Sequence, residues 1–139
     1  MKTFQLFVRE RKVIVGSPDP AHARALISQA RERFKDLCGL PISRQSAPFR
    51  FEAAYEVVKE AIHAFLALEG YKPYSHEAIF SFAFERSLLT ETYVRKADRY
   101  RMIRNDINYR ATTVTIKDTK EILKYTKQTL IILERKFKN

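Results

Sequence analysis

Residues 116–137 read IKDTKEILKYTKQTLIILERKF, and their pattern decides the fold class. Ile116, Thr119, Leu123, Thr126, Leu130, Leu133 and Phe137 recur at alternating spacings of three and four. That is the period of one helix face, and sustained this long it describes a seam laid into a bundle core. A second apolar set, Ile122, Ile131 and Ile132, widens the stripe. It implies either a broader core or a face for a second copy of the chain.

The same period returns upstream. A helix over roughly Ser87 to Asn108 carries Tyr100, Ile103 and Ile107 as its buried stripe. Ser75 reads as the N-cap of a short helix bearing Ile79, Phe82 and Ala83, preceded by a loop over Tyr71 to Tyr74. From about Pro48 to Glu69, Phe51, Ala54, Tyr55, Val58, Ala61, Ile62, Phe65 and Leu68 share one side, and Gly70 follows as a left-handed stop. Ser17-Pro18-Asp19-Pro20 opens the first helix, with Asp19 as N-cap and Pro20 pre-set for the first turn. Ala23, Leu26, Ile27, Ala30, Phe34 and Leu37 line that helix until Gly39-Leu40-Pro41 ends it. Phe4 to Val15 (FQLFVRERKVIV) alternates apolar residues with charge and reads as a hairpin-like extended arm. The expectation is an all-α protein: an arm over residues 1–16, then one antiparallel up-and-down bundle of four to five helices over 17–139. No strand is expected after residue 16.

With 139 residues one domain suffices, and it is long enough to bury a core without staples. The single cysteine, Cys38, excludes an intramolecular disulfide and reads as a small buried or half-buried residue. No apolar run approaches the roughly 20 residues of a membrane span, and the N-terminus lacks an apolar signal segment. A cytoplasmic protein with no membrane association is expected. The net charge of +10 is unevenly placed. Residues 1–94 carry 13 Lys/Arg against 11 Asp/Glu, a net of +2, whereas residues 95–139 carry 13 against 5, a net of +8. A basic half of this kind attracts polyanions, nucleic acid first and an acidic protein second.

Three glycines leave no Gly-rich phosphate cradle. His22, His63 and His76 fall on different predicted helices without ligand spacing, and HExxH is absent, so neither metal nor cofactor is expected. His76, one residue past a cap, reads as structural. Tyr71 and Tyr74 flank Pro73 and read as loop-to-bundle filling, with base stacking as the alternative.

Chemistry concentrates in Arg101-Met102-Ile103-Arg104-Asn105-Asp106-Ile107-Asn108-Tyr109-Arg110. Arg101, Arg104, Asn105 and Asn108 share one helix face, where guanidinium forks and amides suit phosphate. A solvated basic face is the plain alternative. Lys96 and Arg99 either join this cleft or are solvated.

Arg104-Asn105 resembles the Arg–polar pair of the HEPN domain family, small helical bundles whose motif ends in a His; here Tyr109 stands where the His would be. The resemblance extends to Ala53, Ala54, Tyr55, Ala61 and Ala64, and to the stretch Glu69-Gly70-Tyr71-Lys72-Pro73-Tyr74-Ser75-His76-Glu77, so that it covers roughly residues 19–137. It implies a bundle that is commonly a homodimer with the motifs facing an interface cleft. Many such domains are metal-independent RNases in toxin–antitoxin, antiviral or RNA-processing systems, and others are non-catalytic and pair with small nucleotidyltransferases. On this reading Arg104, Asn105 and Tyr109 are the catalytic set, and Arg99, Arg101, Arg104, Asn108 and Arg110 bind RNA or phosphate. An ordinary phenol, with a pKa of about 10, replaces an imidazole poorly as a general base near neutrality. The resemblance therefore points to a module that binds RNA or a nucleotidyltransferase, with weak or no cleavage. An active metal-independent endoribonuclease using Arg104 and Tyr109, or a plain interaction protein with an acidic partner, are the alternatives.

Overall fold

The computed structural model describes residues 2–110 and 114–138, with the side chains of residues 108–110 outside that description. The elements in order are α1 (Phe4–Arg9), β1 (Val13–Val15), α2 (Pro20–Cys38), α3 (Ala47–Leu68), β2 (Tyr71–Pro73), α4 (His76–Glu85), α5 (Glu91–Arg110) and α6 (Ile116–Lys138). The fold is an all-α helical bundle, as expected. Among the described residues no helix is long and apolar enough to cross a membrane.

The central member is α3, which packs against α2, α6, α4 and α5. Its apolar residues are not confined to one stripe: Phe51, Ala54, Tyr55, Val57, Val58, Ala61, Ile62, Ala64 and Leu66 are all essentially inaccessible. A helix hydrophobic on most sides must be surrounded. The caps that start its neighbours are the ones the sequence names. Asp19 accepts from the His22 amide at 3.0 Å, and Ser75 from the Ala78 amide at 3.3 Å. Arg50, buried on α3, spends its guanidinium on the far end of α2, donating to the Leu37 and Leu40 carbonyls at 3.0 Å each. A cation suits those orphan carbonyls at a helix C-terminus.

The seam of α6 is broader and slightly rotated from the expected stripe. Thr119, Ile122, Tyr125, Thr126, Thr129, Leu130 and Leu133 are buried, while Leu123 and Phe137 flank them half-exposed and Ile116 is 37% exposed. Two threonines repay their burial by donating to α3 carbonyls, Thr119 to Ala47 at 3.0 Å and Thr126 to Ala54 at 3.3 Å. Ile122 belongs to this core and Ile132 is half-buried, which leaves Ile131 as the exposed member of the second apolar set.

Four expectations need correction. The N-terminal segment is not an extended arm: it forms α1 and β1 and enters the core. Phe4, Phe7 and Val13 are 1%, 5% and 2% exposed. Phe4 and Phe7 are three apart, a helical spacing, and Thr3 caps that turn by accepting from the Leu6 amide at 3.3 Å. The loop over Tyr71–Tyr74 contains β2, which pairs antiparallel with β1 in the register Val13 to Pro73, Ile14 to Lys72 and Val15 to Tyr71. Cys38 is exposed, because Leu37 is the side chain the end of α2 turns inward. Finally, α5 starts at Glu91 instead of Ser87. Ser87 sits at a φ of +54°, incompatible with a continuous helix, and the turn after it drops Leu88 and Leu89 into the core.

Candidate functional site

The face of α5 that carries Arg101, Arg104 and Asn105 looks onto the start of α4. These three side chains, with Ser75, His76 and Glu77, line a cavity of about 220 Å³. Glu52, Tyr55, Glu56 and Lys59 reach the same place from α3. Arg104 lies 3.8 Å from Glu52 and 3.6 Å from Glu56, ion-pair separations too long for good hydrogen bonds. Its Nε is buried and has no hydrogen-bond partner among the described residues. Arg101 is held differently, with Nε and Nη2 both on Asp98 Oδ1 at 3.1 and 3.0 Å.

His76 is the residue that sequence reasoning undervalued. Its Nδ1 lies 2.9 Å from the Tyr55 hydroxyl and its Nε2 lies 3.1 Å from Lys59 Nζ, while Lys59 also bonds Glu56 at 3.2 Å. An ammonium can only donate, so Nε2 is the accepting nitrogen. The neutral ring then carries its proton on Nδ1 and donates it to the Tyr55 oxygen. Burial, followed by Lys59 and Arg104, lowers the His76 pKa to about 4. Burial likewise raises that of the Tyr55 phenol. The cluster thus holds a neutral imidazole and a neutral phenol beside two guanidinium groups. Tyr55 itself was visible as part of an apolar stripe and of the alanine-rich helix that carries the resemblance, not as a partner of His76, although a buried phenol generally marks a polar partner nearby.

The remaining sequence candidates divide. Arg101, Arg104 and Asn105 are brought together. Arg99 is not with them. Two residues along a helix turn it by about 200°, and Arg99 lies with Lys96, Tyr100, Glu121, Lys124, Tyr125 and Gln128 in a groove of about 360 Å³ between α5 and α6. Asn108, Tyr109 and Arg110 lie outside the residues whose side chains are described. His22 and His63, separate in sequence, meet edge to face with ring centres 6.0 Å apart in a cavity that also includes Asp19 and Lys72. Among the described residues no group of three or more His, Cys, Asp or Glu is placed to hold a metal ion.

No family model, no curated protein and no solved structure matches this chain. The chemical reading of the site therefore rests on its geometry.

The two histidines set a pH dependence. His76 and His63 both titrate below the ordinary 6.5 in the folded protein, burial being the first cause for each. The unfolded chain then binds more protons than the folded one as pH falls below 6.5, so stability is lost on acidification toward about 4. Chemical denaturation at about pH 7 and about pH 5 should differ by about 1–2 kcal/mol, the discount reflecting partial solvent access. His76→Gln should shrink the difference. Glu60, whose pKa burial raises, works in the opposite direction, so the variant decides: a pH difference left unchanged by His76→Gln would exclude a neutral buried imidazole.

Proposed function

We propose that this chain is a HEPN-like module that binds RNA through the Arg104 cavity and cleaves it feebly or not at all. The observation that carries the reading is the convergence of Arg101, Arg104, Asn105 and His76 on one cavity. Arg104 is the phosphate ligand. Its separations from Glu52 and Glu56 leave the guanidinium weakly committed, and a phosphate offers the short, forked geometry those carboxylates do not. Asn105 lines the same cavity and supplies both a donor and an acceptor for sugar or base. The nearby carboxylates keep the cavity from being a general anion trap, so the ligand must bring its own donors, as a ribose does. The same module reads naturally as a homodimer whose cavities approach each other. Light scattering should then give twice the monomer mass at micromolar concentration.

Arg104→Ala should weaken binding of a short RNA by about ten- to a hundredfold, the range for a lost charge-assisted contact. Lys138→Ala, which removes equal charge from the exposed end of α6, should change it by less than about twofold. Equal effects of the two substitutions, or no RNA affinity at low salt, would overturn the proposal and favour an acidic protein or a nucleotidyltransferase as partner.

A second reading, metal-independent cleavage, is favoured by His76 alone. Its Nε2 is the accepting nitrogen and takes the 2′-hydroxyl proton once Lys59 swings aside. The 2′-oxygen attacks phosphorus while Arg104 holds the phosphate oxygens, the bond from phosphorus to the 5′-oxygen breaks to leave a 2′,3′-cyclic phosphate, and the proton on His76 passes to the departing 5′-oxygen. Cleavage that persists in chelator and disappears in His76→Ala would establish this reading over the binding-only one.

A further inference from the structure

We infer that the groove between α5 and α6 is a second RNA-backbone site, on the other flank of α5 from the Arg104 cavity. The inference rests on the reading that the chain binds RNA, and names where the strand continues. Lys96, Arg99 and Lys124 line the groove with Tyr100 and Gln128, and Glu121 is the one carboxylate among its lining residues. A shallower hollow adds Ile116, Lys117 and Lys120 and shares Glu121 and Lys124 with the first, so the two are continuous. Among the described residues, five cations therefore face one carboxylate along a single channel. All five are exposed. None makes a salt bridge among the described residues, whereas Arg101 and Arg104 each have carboxylate partners.

The geometry fits a linear polyanion. From Lys117 to Gln128 the helix rises about 16 Å, which spans several phosphates at the spacing of about 3.4 Å along one strand of a duplex. Tyr100 is half-buried and its hydroxyl makes no hydrogen bond among the described residues, while Tyr125 beside it donates to the Tyr93 carbonyl at 2.7 Å. The free phenol is available to a sugar or a base. A folded protein partner normally needs a desolvated apolar or aromatic anchor at the centre of its footprint. Among the described residues lining the two hollows, the aromatic rings are buried (Tyr125) or half-buried (Tyr100) and Ile116, 37% exposed at one end of the channel, is the only aliphatic side chain, so the centre of the channel offers no exposed apolar anchor. Between this channel and the Arg104 cavity lies the outer ridge of α5 at Met102. A strand crossing that ridge travels roughly the 10 Å width of a helix, about three nucleotides at the same spacing.

The test compares the full-length protein with Arg99→Gln/Lys124→Gln and with Arg104→Ala, using a dinucleotide and a roughly 12-nucleotide single strand of RNA. The double substitution lies at two exposed positions and should leave the circular dichroism spectrum unchanged. It should lower affinity for the longer strand about tenfold at low salt and flatten its log K–log salt slope by about 1.4, at roughly 0.7 per phosphate contact. Dinucleotide affinity should not move. An unchanged affinity and slope for the longer strand would overturn the groove while Arg104→Ala still reports on the cavity. Loss of the longer strand with Arg104→Ala silent would sustain the groove and overturn the cavity reading. Polyglutamate of equal charge binding as tightly as RNA, with the same dependence on Arg99 and Lys124, would overturn the assignment to RNA in favour of an acidic protein.

Discussion

Phe4→Ala should destabilise the protein by about 3–5 kcal/mol, the range for truncating a buried aromatic. The position lies only four residues into the chain, where substitutions are usually tolerated. Here the ring is 1% exposed and packs edge-on against Tyr71 and Phe82, with centres 4.9 and 5.2 Å apart. The backbone is fixed as well, since the Phe4 amide donates to Glu85 Oε2 at 2.7 Å and Ser81 Oγ donates to the Lys2 carbonyl at 2.9 Å. Truncation leaves a cavity lined by α4 and β2 that neither element can fill by collapsing. Ile14→Ala, in the same segment but 51% exposed, is the control and should cost less than about 0.5 kcal/mol. Equilibrium urea unfolding of the two variants measures the contrast. A Phe4→Ala loss below about 1 kcal/mol would mean that the segment docks without contributing to the core.

Gly70→Ala should cost about 2–4 kcal/mol, the sum of a left-handed backbone and a steric clash. Gly70 has a φ of +86°, and a Cβ there would lie 2.5 Å from the Gly16 carbonyl oxygen, 2.8 Å from Ser17 C and 2.9 Å from Pro18 N. All three atoms are backbone, so no side chain can swing away. Relief requires moving residues 16–18, which breaks the Gly16 amide bond to the Gly70 carbonyl at 2.7 Å and unzips the end of the β1–β2 pair. Gly39→Ala is the comparison: its φ is −77°, its nearest neighbour is at 3.5 Å, and it should be close to neutral. Matching melting temperatures for the two variants would refute the steric account.

Both predictions concern the part of the molecule that was least legible in the sequence. The bundle helices announced themselves because apolar spacing and caps are local signals: Asp19, Ser75 and Gly70 each act within three or four residues. The N-terminal segment packs a helix and a strand into twelve residues, too few for either period to dominate. What orders it is Tyr71, Phe82 and Glu85, remote partners that periodicity cannot reveal. The site shows the same division. Arg101, Arg104 and Asn105 could be grouped by helix arithmetic, and the same arithmetic, applied strictly, separates Arg99 from them. His76 could not be added that way. Its place beside Arg104 depends on how α4 enters the bundle, and its neutral state depends on the burial that packing gives it and on Lys59 of a third helix.

The bond from the Phe4 amide to Glu85 closes a loop of 81 residues, and this has a consequence during synthesis. At about 5–20 residues per second, roughly 4–16 s separate translation of the first residue from that of its partner. Until β2 and α4 have been made, Phe4, Phe7 and Val13 lack the partners that cover them, so the segment is synthesised well before it is buried. The nascent chain therefore presents a short apolar stretch that chaperones can hold until α4 is complete.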